Sequence, residues 1–261
     1  MAGMMTGLLL LLLAGVTESR VVDLQKRIIG GVECAKTDRL YHVKLVISNG
    51  NQEYLCGGTL INKNWILTAG HCVQKGETVT AVLALHPGSN KKAVVFKPDP
   101  KRMKDKKGTH DIALLKLPHS VKGFPTATLP ECSSRPALGD TVQVAGHAAT
   151  TDDEGTGDPP QPGTFQCADT TVVKCDFKNC PSKEQRSYYN PDMVFCYKKD
   201  EVDTSPGDSG GGVVFNGMIY GVHIGGGKYA CDTPGMALDI CQYKKWITDV
   251  TESLFGKFFK G

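Results

Sequence analysis

No C-x2-C pair occurs among the ten cysteines of this chain, and their spacings do not resemble a zinc module. No Asn-x-Ser/Thr sequence occurs either, so no N-linked glycan is expected. Net charge is only +3, too little to argue for nucleic acid as a partner. Charged residues at 22% and hydrophobic ones at 40% exclude wholesale disorder. Past the first twenty residues no segment is long and apolar enough to span a bilayer. The six leucines from Leu8 to Leu13, followed by small residues, read as the core of a signal peptide over residues 1–19, with cleavage near Gly15 to Ser19. All ten cysteines follow it, which points to an oxidising compartment. The expected location is extracellular, with granule storage as one route.

What is present centres on Pro206-Gly207-Asp208-Ser209-Gly210-Gly211-Gly212. Glycines let the backbone turn tightly and leave the Ser209 hydroxyl on the surface of the turn. They also leave N–H groups free to face a substrate oxygen. A glycine-flanked serine also marks the nucleophile turn of α/β-hydrolases, which run serine, acid, histidine. Here Thr68-Ala69-Gly70-His71-Cys72 comes first and His110-Asp111-Ile112-Ala113-Leu114 second, so the order is His71, Asp111, Ser209 and that class is excluded.

Short β-rich runs dominate: Val43 to Ile47, Ala93 to Phe96, Ile112 to Leu117 and Thr141 to Ala145. Asn216-Gly217 between Val213-Val214-Phe215 and Met218-Ile219-Tyr220 predicts a hairpin. Many short strands without interleaved helices argue for all-β barrels. Trp246, Val250, Leu254 and Phe258 recur every four residues and predict one buried face of a C-terminal helix.

With Arg27-Ile28-Ile29-Gly30-Gly31 and Cys241-Gln242-Tyr243-Lys244-Lys245-Trp246-Ile247, these motifs cover nearly all of the chain after the leader. Together they resemble the secreted serine proteases of the trypsin/chymotrypsin family. The resemblance implies two six-stranded antiparallel β-barrels with the active-site cleft between them, and a C-terminal helix. It divides the chain into residues 20–27 as an activation propeptide and 28–261 as the protease domain, its two halves meeting near residue 135. It makes His71 the base, Asp111 its orienting acid and Ser209 the nucleophile, with the N–H groups of Gly207 and Ser209 as the oxyanion hole.

The resemblance further implies cleavage after Arg27 by an activating protease, and pairing of the freed Ile28 amine with Asp208. It places Asp203 at the base of a pocket for substrate Arg or Lys, kept open by Gly226 and Gly235. It also implies the disulfides Cys34–Cys167, Cys56–Cys72, Cys132–Cys241 and Cys180–Cys196. Cys175 and Cys231 then remain for each other, or Cys175 replaces Cys180 as the partner of Cys196; spacing alone does not choose. Val142 and Phe215 stand where the family often has one more disulfide. Ser205, Ile224 and Gly225 depart from the family's cysteine, serine and tryptophan.

No acidic cluster follows His71, so no metal is expected, and no cofactor. Lys97, Lys101, Arg102, Lys104, Lys106 and Lys107 predict a solvated loop bordering the cleft, with attraction of polyanions as the sharper alternative. Asp152, Asp153, Glu154 and Asp158 predict another exposed loop. Histidines 42, 86, 110, 119, 147 and 223 read as surface or packing residues. The expectation is a monomeric serine endopeptidase acting on proteins and peptides. Its alternative is a catalytically impaired relative that binds or signals on the same fold.

Overall fold

The computed structural model describes residues 28, 30–84, 91–146, 164–175, 191–202, 204, 207–225 and 234–252. These are built almost wholly from antiparallel strands. The N-terminal half comprises β1 (Val32–Glu33), β2 (His42–Ser48), β3 (Glu53–Asn62), β4 (Trp65–Ala69), β5 (Thr78–Leu83), β6 (Lys92–Phe96), β7 (Lys101–Asp105) and β8 (Gly108–Lys116). The C-terminal half comprises β9 (Thr141–Gly146), β10 (Gln166–Val173), β11 (Val194–Lys198), β12 (Gly212–Phe215), β13 (Met218–Gly225) and β14 (Gly235–Asp239), then α1 (Ile240–Glu252).

The all-β class expected from the sequence is the one observed. In the C-terminal half, β10-β11-β14-β13-β12-β9 close on themselves through β9–β10 pairing, with β1 added outside on β10. Closure removes exposed strand edges. The N-terminal sheet runs β6-β5-β2-β3-β4-β8-β7, seven strands rather than six. The additional strand comes from the basic run expected to be a loop. Lys101–Asp105 pairs with β8 instead, Arg102 opposite Ala113.

Strand alternation explains the cores. Val43, Leu45 and Ile47 of β2 are fully buried, as are Val79 and Ala81 of β5, while Lys44, Val46 and Thr80 between them are only half-buried. One apolar cluster joins both halves, running from Leu67, Ile112 and Leu114 to Val222, Ile224 and Leu238. A second, inside the closed barrel, holds Ile28, Val142, Val144, Tyr197, Val213 and Ala237, with Phe215 packed on it. The expected hairpin forms between β12 and β13. Asn216 at φ 48° and Gly217 at φ 74° supply the two left-handed residues such a tight turn needs.

The helix turns its buried face differently from the sequence reading. Ile240, Tyr243, Ile247 and Thr251 are its buried residues. Trp246 and Val250 pack only partly against the core. Leu254 and Phe258 lie outside the described residues, as do the leader and the acidic run at residues 152–158.

Four disulfides are described: Cys34–Cys167, Cys56–Cys72, Cys132–Cys241 and Cys175–Cys196. The last corrects the pairings Cys180–Cys196 and Cys175–Cys231. The physical reason is register. Antiparallel pairing sets Val173 opposite Cys196 at the end of β10, so Cys175 emerges beside Cys196, with 5.1 Å between their Cα atoms. Among the described residues no helix is long and apolar enough to cross a membrane.

Candidate active site

Strand β4 ends at Ala69, opposite Ile112 of β8, and this register sets Gly70 against Asp111. A Cβ on Gly70 would lie 3.0 Å from both the Cα and the carbonyl carbon of Asp111, so only glycine lets the strands approach this closely. A 3-10 turn, Gly70–Cys72, then swings His71 over Asp111 of β8. Asp111 holds it twice. The His71 backbone N–H donates to Oδ1 at 2.6 Å, and Nδ1 of the ring lies 2.9 Å from Oδ2. The His71 side chain is 46% exposed and that of Asp111 13%, so the ring faces the solvent while its acid lies beneath.

Burial alone pushes the His71 pKa down, but the hydrogen bond and charge of Asp111 outweigh it, and the net shift is upward. The Nδ1–Asp111 bond leaves Nε2 for a second partner. The turn is further tied by Cys56–Cys72 and by Arg102 of β7. The Arg102 guanidinium donates to the carbonyls of Gly70, at 2.8 Å, and of Val73. It also donates to Oε1 of Gln74 at 3.2 Å. The sequence reading counted Arg102 among solvated charges; the strand turns it inward.

Ser209 enters from the other half. Gly57 of β3 donates its N–H to the Ser209 carbonyl at 2.7 Å, and Cys72 Sγ lies 3.4 Å from the same oxygen. Gly210 follows at φ +87°, and a Cβ there would lie 2.1 Å from Thr68 Oγ1 and 2.3 Å from the Gly57 carbonyl. A side chain at 210 would force the two halves apart. Gly207, at φ +104°, opens the turn. Behind it, Gly210 N–H donates to the His223 carbonyl at 2.7 Å, and His223 N–H to the Gly211 carbonyl at 2.9 Å. Arg39, buried, ties the neighbouring strands β12 and β9 together by donating to the carbonyl of Gly212 at 2.7 Å and of Gln143 at 2.5 Å.

The structure thus brings His71, Asp111 and the Ser209 backbone to one junction. Asp208 is 2% exposed, and Ile28 is buried to the same degree. The two line one crevice with Val144, Thr204, Val213 and His223. Gly235 is described, whereas Asp203 and Gly226 lie outside the described residues.

Two histidines do more than pack. His110 lies 3.0 Å from Tyr243 Oη through Nδ1 and 3.0 Å from Asp105 Oδ2 through Nε2. His223, 4% exposed, meets the Tyr197 hydroxyl through Nδ1 at 2.5 Å. Neither pair carries a local sequence signal. His42, also buried, packs its ring against that of Phe165 at a tilt.

Cys56, His71 and Cys72 cluster closely enough to suggest a metal site. The two sulfurs are bonded to each other, however, and offer no thiolate.

The sequence that builds this junction, with histidine and acid on one half and serine on the other, is similar to those of known proteins. The family model described as Trypsin covers residues 28–247. The chain belongs to the trypsin family. Kallikrein-4 of Homo sapiens is 28% identical over 255 residues, 93% of this chain and 94% of its own. Thrombin-like enzyme cerastocytin of Cerastes cerastes is 30% identical over 241 residues, 85% of this chain and 86% of its own. Trypsin-3 of Salmo salar is 28% identical over 257 residues, 88% of this chain and 95% of its own. This trypsin-family chain is a serine endopeptidase by kind, and the match begins at Ile28.

Proposed function

We propose that this chain is a secreted serine endopeptidase, made as a precursor and activated by cleavage between Arg27 and Ile28. The observation that carries the reading is the double hydrogen bond from His71 to Asp111 beside the Ser209 turn. A serine hydroxyl needs a base to take its proton before it attacks. His71, neutral at Nε2, accepts the Ser209 Oγ proton as Oγ bonds to the substrate carbonyl carbon. Asp111 holds the tautomer and stabilises the imidazolium. The N–H groups of Gly207 and Ser209 receive the negative oxygen. His71 then returns the proton to the departing amine, and water releases the acyl group by the same steps in reverse.

Burial of Ile28 beside Asp208 supports the activation step. A freed amine at Ile28 gives the buried carboxylate a cation, and a buried charge needs one. Asp203 supports a preference for substrate Arg or Lys. Exposed Lys97, Lys104, Lys106 and Lys107 support attraction of polyanions at the edge of the cleft. The enzyme acts as a monomer on proteins and peptides.

The experiment is peptide-amide hydrolysis by the precursor, by protein beginning at Ile28, and by an Arg27→Gln precursor exposed to activating proteases. Activity confined to protein beginning at Ile28 supports the reading. Full activity of Arg27→Gln contradicts the activation step.

A further inference from the structure

The backbone from Ser209 to Gly212 is held from both halves of the molecule. The backbone of His223, in the C-terminal half, bonds to Gly210 and Gly211. The two ends of the segment are held from the other half. Gly57 of β3 donates its N–H to the Ser209 carbonyl at 2.7 Å, and the Arg39 guanidinium donates to the Gly212 carbonyl, also at 2.7 Å. Between them the His42 ring lies close to Gly211, where a Cβ would come within 3.9 Å of its Cε1.

Arg39 is rigidly joined to the sheet that carries His71. The His42 N–H, first of β2, donates to the Arg39 carbonyl at 2.8 Å. β2, β3 and β4 are neighbours in one sheet, and β4 leads into the His71 turn. Arg39 takes φ 54°, a left-handed conformation that a non-glycine residue keeps only where its surroundings fix it. Here they do. Arg39 is 6% exposed, and besides Gly212 it donates to the Gln143 carbonyl at 2.5 Å and to Gln143 Oε1 at 3.1 Å. Gln143 in turn donates to Asp169 Oδ1 at 3.1 Å, which links the buried cation to a carboxylate. Burial pushes the guanidinium pKa down, and Tyr41, Asp38 and Asp169 oppose that shift.

The guanidinium also sits where the barrel wall is thin. β9 and β12 are in register at the single pair Gln143 and Val214, whereas the other seams of the closed barrel hold three or more. One arm of the fork reaches β12 and the other β9.

We propose that Arg39 is a positioning residue for the reaction: by holding the Gly212 carbonyl from the N-terminal half, it sets where Ser209 stands relative to His71. The inference rests on the reading of Ser209 as nucleophile and deepens it. Base and nucleophile belong to different halves, so their separation depends on the ties between those halves. A proton passes from serine to histidine only within hydrogen-bond reach. A misplacement of about 1 Å costs about 10²-fold in rate.

The test uses protein beginning at Ile28, with Arg39→Met and Arg39→Lys. Three things are measured: the rate at which a small fluorophosphonate labels Ser209, kcat and KM on a peptide amide, and the melting temperature. Arg39→Met is expected to label Ser209 about 10- to 10²-fold more slowly and to lose kcat in the same proportion, with KM little changed. Its acid-limb midpoint should stay at the native pH, because His71 and Asp111 both lie in the N-terminal half. Arg39→Lys keeps the cation but not the planar fork, and should fall between native and Arg39→Met.

A purely structural role would lower the melting temperature and leave the folded protein's labelling rate and kcat at native values. That result in Arg39→Met overturns the proposal, as does a shifted acid-limb midpoint. If Arg39→Met does not fold, Arg39→Lys decides, and native rates there overturn the proposal. Failure of both variants to fold makes Arg39 a residue of barrel stability and also overturns it. Native protein that does not label at Ser209 contradicts the serine reading itself, whereas native protein labelled no faster than Arg39→Met contradicts only the role of Arg39.

Discussion

Arg102 donates a hydrogen bond to the carbonyl of Gly70, the residue immediately before His71, at 2.8 Å. The same guanidinium reaches Val73 and Gln74 just after the turn, so one side chain from β7 spans the segment that carries the base. Substituting Arg102 by Met keeps much of the apolar stem and removes every donor. Hydrogen bonds to charged groups contribute about 1.5–3 kcal/mol. Arg102→Met is expected to lower the thermal stability of the fold by that order. It is also expected to lower kcat while KM changes little, because the turn and not the substrate loses its support. Arg102→Lys should recover only part, since one ammonium cannot span three acceptors. Steady-state kinetics beside a thermal melt checks both effects.

The acid limb of the pH profile follows from Asp111. A base must be neutral to accept a proton, and the net effect of Asp111 is to raise the His71 pKa above its usual 6.5. The limb of kcat/KM is therefore expected to have its midpoint above 6.5, with activity rising as pH rises through it. In Asp111→Asn the raising charge is gone, so the midpoint moves down. Activity on its plateau falls by about 10²–10⁴-fold, the range contributed by a positioned base. A pH–rate series on both proteins is the measurement.

Buried His223 gives stability a separate pH dependence. Its pKa is about 4 in the fold, against 6.5 for an exposed histidine. Between those values the unfolded chain binds a proton that the folded chain does not, so stability falls as pH drops from about 6.5 towards 4. His71, raised in the fold, acts with the opposite sign: its contribution is present below 6.5 and lost as pH rises through its folded pKa. Melting temperature should fall across the lower window, and His223→Gln should flatten that fall. Thermal scans at half-unit pH steps read it directly.

The corrected disulfide makes a prediction that separates the two cysteines at issue. Cys175 and Cys196 close a loop across a sequence separation of 21, which constrains the unfolded chain by about 3 kcal/mol. Cys175→Ser is expected to lose about that much stability and to leave Cys196 a free thiol that is alkylated once the chain is unfolded. Mass mapping of non-reduced peptides should recover Cys175 joined to Cys196. A peptide joining Cys180 to Cys196 would contradict the fold.

What was legible in the sequence was local. Asn216-Gly217 marked its hairpin because a two-residue turn demands left-handed residues at both positions. His71, Asp111 and Ser209 were legible because each sits in a short signature whose order along the chain discriminates. What was hidden depends on register between distant strands. Tyr197 meets Gly235 and His223 only because β11, β14 and β13 are neighbours in one closed barrel. Arg102 looked like one basic residue among six, since alternation within a strand is hard to read where four of its five residues are charged. The Cys175 pairing likewise follows from where β10 ends, which cysteine spacing does not encode. Arg39 carried no signal at all, yet it is buried and donates to two backbone carbonyls across the barrel.

The central claim is that Ser209 is a nucleophile activated by His71. Protein beginning at Ile28 should be treated with a small fluorophosphonate, alongside Ser209→Ala and His71→Ala, and the modified residue located by mass spectrometry. The account predicts stoichiometric modification of Ser209 alone, none in Ser209→Ala, and labelling slowed by about 10²-fold or more in His71→Ala. Native protein left unlabelled at Ser209, or labelled equally fast without His71, would contradict it.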